Sequence, residues 1–151
     1  MSTSLHILVV DDRPDSVLFL TEFLLSRQHR VETTGNGQDA LDAVIQRQRS
    51  RDVYDLVISD VTMPTMDGLA MVRELRRRQV TVPVVLYTAY GTMNPNLNQQ
   101  ASQAGATLHL DLLPDVPLGK VLAEVRHPRG SRSLTSHLKS RGAPMPAASG
   151  W

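Results

Sequence analysis

Residues 56–68 read LVISDVTMPTMDG, and the fold turns on how this stretch divides. Its first half completes a strand, expected over Tyr54–Ser59, whose continuous apolar run is that of a parallel strand buried on both faces. Asp60 stands as a lone acid at the end of that strand. After Asp67 and Gly68 the period changes: Leu69, Val72 and Leu75 recur at spacings of three, the apolar stripe of a helix. On that helix Arg73, Arg76, Arg77 and Arg78 read as a solvated face.

Working outward, the same strand-then-helix unit repeats along the chain. Further strands are expected at His6–Val10, Arg30–Thr34, Val82–Tyr87 and Thr107–Leu110. A first helix starts at Pro14, whose fixed φ suits a first turn, and turns Val17, Leu20 and Leu24 to one side. A second follows Asn36 and Gly37 and buries Leu41, Val44 and Ile45. Asn94 and Pro95 form an N-cap and first-turn pair for a fourth helix that Gly105 closes, and Leu118, Val121, Leu122 and Val125 stripe a fifth. Such alternation predicts an α/β fold: a doubly wound, five-stranded parallel sheet with helices on both faces, occupying residues 4–126.

Composition narrows the function classes. The 151 residues are 41% hydrophobic and 21% charged, which suits one ordinary soluble domain, and they include no cysteine. Disulfides, thiolate metal sites and cysteine nucleophiles are thereby excluded. The apolar run Ile7–Val10 is stopped at once by Asp11 and Asp12, so it is read as neither a signal peptide nor a membrane span, and a cytoplasmic location is expected. Residues 1–126 carry 12 basic and 15 acidic side chains, whereas residues 127–151 carry four basic and none acidic. With five Ser, three Gly and three Pro, that last segment is expected to be a flexible basic tail. It is too short for a recognition domain and has a single aromatic, Trp151, so nucleic-acid binding is not expected.

In an open parallel sheet, ligands bind outside the carboxyl ends of the strands. The residues there are Asp11 and Asp12, then Asp60, then Thr88. Carboxylates gathered at one edge repel one another and call for a cation, and oxygen donors without histidine suit Mg2+. A carboxylate beside such an ion can attack phosphorus to give an aspartyl phosphate, and Asp60 is the candidate nucleophile. Taken singly, an Asp at a strand end is often only a turn former or cap. The joint pattern of paired acid, lone acid and Thr after three buried strands is far more specific.

The chain resembles the receiver domains of two-component response regulators over roughly residues 4–126. The likeness is carried by Ile7–Asp12 (ILVVDD), Asn36–Leu41 (NGQDAL), Leu56–Gly68, Val84–Ala89 (VVLYTA) and Gly105-Ala106. Within Leu56–Gly68, the acid, the Met63-Pro64 turn and the Asp67-Gly68 helix start occur at the family's spacing. The resemblance implies a flavodoxin-like receiver fold in which Asp60 accepts a phosphoryl group from a histidine kinase or phosphotransfer protein. Asp11, Asp12, Asp60 and the backbone carbonyl of Thr62 would hold Mg2+, and Thr88 would donate its hydroxyl to the phosphoryl group and move on activation.

The sequence departs from the family pattern at more than one position, first among them the family's lysine. The family places a lysine seven residues after the Gly-Ala pair, followed by proline; here Leu112 or Leu113 falls there, before Pro114. The only lysines are Lys120 and Lys139, so Arg13 is the candidate substitute cation. The connection from Thr88 to Gly105 is about two residues longer than usual, and His109 stands where the family has an aromatic switch residue. Tyr90 is a further candidate modulator, shading the site from water. The leading expectation is a stand-alone receiver, not an enzyme, acting through an unknown downstream protein and with a homodimer as an option. Its rival is a degenerate receiver that binds partners without phosphorylation. An aspartate-nucleophile phosphatase would need a second acid where Thr62 stands and an inserted cap that the sequence lacks.

Overall fold

A computed structural model of the chain describes residues 4–88, 96–110 and 122–123. Five strands, β1 (His6–Val10), β2 (Arg30–Thr34), β3 (Leu56–Asp60), β4 (Val84–Tyr87) and β5 (Leu108–Leu110), form one sheet in the order β2-β1-β3-β4-β5. Every pairing is parallel. Between them run α1 (Pro14–Ser26), α2 (Gly37–Gln48), α3 (Gly68–Arg77) and α4 (Leu97–Ala104). From β1 the chain steps outward to β2, then returns to the other side for β3, which puts the topological switch point between β1 and β3.

Because side chains alternate along a strand, each buried strand feeds two cores. Leu8, Val10, Val57, Val84 and Leu86 join one cluster with residues of α2, α3 and α4, including Leu41, Val72 and Ala101. Ile7, Val9, Leu56, Ile58 and Val85 are buried on the other face, the side of Leu20 and Leu24 of α1. Burial on both faces is what the apolar runs require, and β2 at the sheet edge is the more polar, partly exposed strand.

Element boundaries shift for local reasons. The ladder on β3 begins at Leu56 rather than Tyr54; just before it the Asp55 N–H donates to the His6 carbonyl and the Asp55 carboxylate takes the His6 N–H. β4 begins at Val84 because Pro83 has no N–H to give. Thr107 stands just outside β5, its hydroxyl accepting the Val84 N–H at 3.0 Å. For α4 the N-cap position is Asn96, while Asn94 and Pro95 lie outside the described residues. Gly105 closes that helix in the left-handed region, φ 102°, as its position required.

Arg76 corrects the reading of an outward arginine face. Its guanidinium turns in and donates to the carbonyls of Gly105 (2.9 Å), Val80 (2.7 Å) and Val82 (2.9 Å), tying α3 to the starts of β4 and β5. Arg73, Arg77 and Arg78 remain exposed. The chain divides into two compact units, Met1–Val116 and Pro117–Trp151, and all nine elements belong to the first. Apart from helical residues 122–123, the expected fifth helix and basic tail lie outside the described residues.

Candidate functional site

Three strand ends converge at the switch point. Asp11 directly follows β1, Asp60 is the last residue of β3, and Thr88 directly follows β4; all three are buried, while Asp12 is exposed. One oxygen each from Asp11, Asp12 and Asp60 lies within 4.8 Å of the others. Two glycine-dependent contacts shape the loop beneath. The Gly68 N–H donates to the Val61 carbonyl at 2.8 Å, and a Cβ on Gly68 would sit 2.5 Å from the Asp60 carbonyl oxygen. The N–H of Gly37, at the start of α2, donates to the Met66 carbonyl at 2.8 Å, and Thr65 takes φ 68° in the turn between.

The acids are only partly offset. Asp60 accepts the Thr62 N–H at 3.3 Å and the Arg13 Nη2 at 3.2 Å. Arg13 also places Nε 3.8 Å from Asp11 Oδ1, and its backbone N–H donates to that oxygen at 2.9 Å. Burial, reinforced by the Asp11 charge, pushes the Asp60 carboxyl up to about 6 against the pull of the Thr62 N–H and Arg13. A group so raised is short of positive charge. Hard oxygen donors, three carboxylates and one guanidinium fit a small divalent cation better than they fit closure by the protein alone.

Asp11, Asp12 and Asp60 therefore lie together with Arg13 against Asp60, and Thr88 follows Tyr87, which is in register with Asp60. Thr62 lies in the loop after β3, two residues from Asp60. His109 sits in β5 in register with Leu86 of β4, and Tyr90, Leu112, Leu113 and Pro114 lie outside the described residues. One residue escaped the sequence reading. Tyr87, fully buried, donates its hydroxyl to Asp11 Oδ2, and burial together with that bond raises its phenol far above the usual value.

The fold and the acidic strand-end site define a receiver-type signalling domain. Residues 7–111 match the family described as the response regulator receiver domain. The chain belongs to that family. It is similar to the rice (Oryza sativa subsp. indica) two-component response regulator ORR24, 39% identical over 87 residues, which are 58% of this chain and 13% of the relative. It is similar also to the sensor histidine kinase RcsC of Salmonella typhimurium, 40% identical over 83 residues, covering 55% of this chain and 8% of RcsC. The chain thus matches only a small part of either relative. Among solved structures, the Vibrio cholerae chemotaxis response regulator CheY4 aligns with TM-score 0.66 and 31% identity, over 82% of this chain and 99% of that one. Among the described residues, no helix is long and apolar enough to cross a membrane.

Proposed function

We propose that this domain accepts a phosphoryl group on Asp60 from the phosphohistidine of a histidine kinase or phosphotransfer protein, with Mg2+ as cofactor, and signals through protein–protein contacts. The observation that carries the reading is the convergence of Asp11, Asp12 and Asp60, with Asp60 buried at the switch point and short of positive charge. In the transfer, an ionised Asp60 oxygen forms the new O–P bond as the P–N bond to the donor imidazole breaks, and the imidazole leaves with the bonding pair. Asp11, Asp12, Asp60 and the Thr62 carbonyl would hold the ion, which when bound neutralises charge on the phosphoryl oxygens.

Arg13 holds Asp60 at 3.2 Å and must yield part of that contact before the oxygen can react. Released, its guanidinium would be the side-chain cation nearest a phosphoryl group on Asp60 among the described residues, in place of the family's lysine. Thr88, buried just after β4, would donate its hydroxyl to the phosphoryl group, and a shift of that strand end is the event a partner would read. No catalysed turnover is assigned to the domain.

The second reading, a phosphorylation-independent interaction module, is favoured by Leu112 or Leu113 where the family has lysine. Intact mass after incubation with a small phosphodonor and Mg2+ separates the two. A single phosphoryl adduct on the wild type, absent from Asp60→Asn, is expected. No adduct from a chain that still binds the cation would favour the interaction module.

A further inference from the structure

Tyr87 is the last residue of β4 and stands in register with Asp60 on β3. On the far side of β3, Val10 of β1 is in register with Ser59, which puts Asp11 level with Asp60. Asp11, Asp60 and Tyr87 are therefore three neighbours in a row across the strand ends, with Asp60 in the middle. Outer strands of such a trio lie roughly 10 Å apart, twice the spacing between neighbours. The phenol bridges that gap, since its hydroxyl donates to Asp11 Oδ2.

The other Asp11 oxygen, Oδ1, accepts the backbone N–H of Arg13 at 2.9 Å. Each oxygen thus has a donor from a different direction, so rotation of the carboxylate is blocked. Without the phenol, repulsion from Asp60 would favour turning Asp11 away, since both acids are buried side by side. Tyr87 itself is completely inaccessible, and its one acceptor on Asp11 uses the hydroxyl proton.

We infer that Tyr87 is a positioning residue, a strap across the β3 strand end that holds the Asp11 carboxylate in place for the divalent cation without touching the cation or the phosphoryl group. The inference rests on the cation site proposed above. A ring that only filled space would make its hydroxyl dispensable. A hydroxyl that only offset the Asp11 charge would weaken cation binding, so its removal would tighten it. Positioning alone predicts loss of affinity, as for outer-shell partners that orient metal ligands.

The full chain is titrated with Mn2+ at one near-neutral pH, the free ion being followed by its electron paramagnetic resonance signal, and each variant is checked by its melting transition. Tyr87→Phe is expected to bind Mn2+ about tenfold more weakly than wild type. Tyr87→Met, which also lacks a donor, is expected to do the same and serves if Tyr87→Phe does not fold. In an Asp11→Ala background, which has no acceptor for the phenol, Tyr87→Phe should have no further effect, because the two act through one bond. Unchanged or tighter binding by Tyr87→Phe, or an undiminished loss in the Asp11→Ala background, would overturn the strap while leaving the cation site standing. Failure of the wild type to bind Mn2+ would overturn both.

Discussion

The two ends of the sheet treat their carboxylates in opposite ways. At the amino ends of β1 and β2, Glu32 accepts the Tyr54 hydroxyl at 2.6 Å and Arg47 Nη2 at 2.6 Å, with the His6 ring 2.9 Å away. Asp52 takes both arms of the Arg30 fork at 2.9 Å and Arg47 Nη1 at 2.9 Å. Burial would raise the Glu32 carboxyl, but the Tyr54 and His6 bonds and the Arg47 charge outweigh it and hold it below its usual value. The Arg30 fork, first among its causes, holds the Asp52 carboxyl well below its usual range. At the carboxyl ends, three acids meet with the Arg13 guanidinium against Asp11 and Asp60 among the described residues, and Asp60 is pushed up to about 6. A satisfied cluster fastens the fold; an unsatisfied one is ready to take a cation or a phosphoryl group.

The largest break in this contrast should come from Gly68→Ala. Its Cβ would meet the Asp60 carbonyl oxygen at 2.5 Å and Leu86 Cδ2 at 3.0 Å, both in packed surroundings. Overpacking of this kind costs about 3 kcal/mol, and the displaced Asp60 should lose its cation as well. Gly35→Ala is the control, since a Cβ there meets nothing within 4 Å. Equal melting midpoints for the two alanine variants would remove the claim that the loop beneath the pocket is tightly specified.

How far these two ends were legible in sequence differs for physical reasons. The buried runs Ile7–Val10 and Val84–Tyr87 announce strands covered on both faces, and once the strands are parallel their ends must meet. Asp11, Asp60 and Thr88 were therefore readable. Tyr87 was not: inside an apolar run it reads as core, and its reach to Asp11 appears only when the order β1-β3-β4 puts Asp60 between them. Arg76 was hidden in an arginine-rich stretch, and only its three carbonyl partners, two before β4 and one before β5, distinguish it from Arg73. The amino-end cluster escaped because Glu32, Arg47, Asp52 and Tyr54 are brought together by pairing of β2 beside β1, not by any spacing in the chain.

Next in size is the effect of Asp60 on stability. Burial pushes its carboxyl up to about 6 in the fold from 3.8 when unperturbed, so between these values the native state holds more protons than the unfolded chain. Stability must then fall as pH rises through that window. Above it, the ionised Asp60 costs at most about 3 kcal/mol, and Asp60→Asn should be more stable than wild type by up to that amount in the presence of a chelator. The advantage should vanish below 3.8, where both forms are uncharged at this position. Saturating Mg2+ should shrink it at neutral pH by stabilising the wild type. An Asn variant less stable than wild type across the range would mean that Asp60 is already satisfied, as Glu32 is.

A smaller effect is expected of Arg13→Ala. The guanidinium lies against Asp60 Oδ2 and offsets part of the charge that a bound cation would neutralise. Removing it should tighten Mg2+ binding about fivefold, equivalent to roughly 1 kcal/mol. The same variant should slow adduct formation if Arg13 replaces the missing lysine, so calorimetry of metal binding and the rate of phosphorylation should move in opposite directions. Weaker metal binding would show that Arg13 organises the acids rather than competing for them.

The smallest effect belongs to the satisfied end and has the opposite pH dependence. Glu32 is 40% exposed, so solvent screens its ion pairs, and Glu32→Gln should cost no more than about 1 kcal/mol at neutral pH. Because its carboxyl is held below 4.5, the native state binds fewer protons there than the unfolded chain, and the stabilisation is fully present above that value. It is lost as pH falls through the depressed native value, so wild type and Gln variant should converge in acid. Added salt should narrow the gap at neutral pH. The Asp60 and Glu32 variants thus differ from wild type in opposite senses at neutral pH, one more stable and one less, and chemical denaturation across pH reads both signs. Variants moving in the same sense would mean that the two ends of the sheet do not differ in how their acids are compensated.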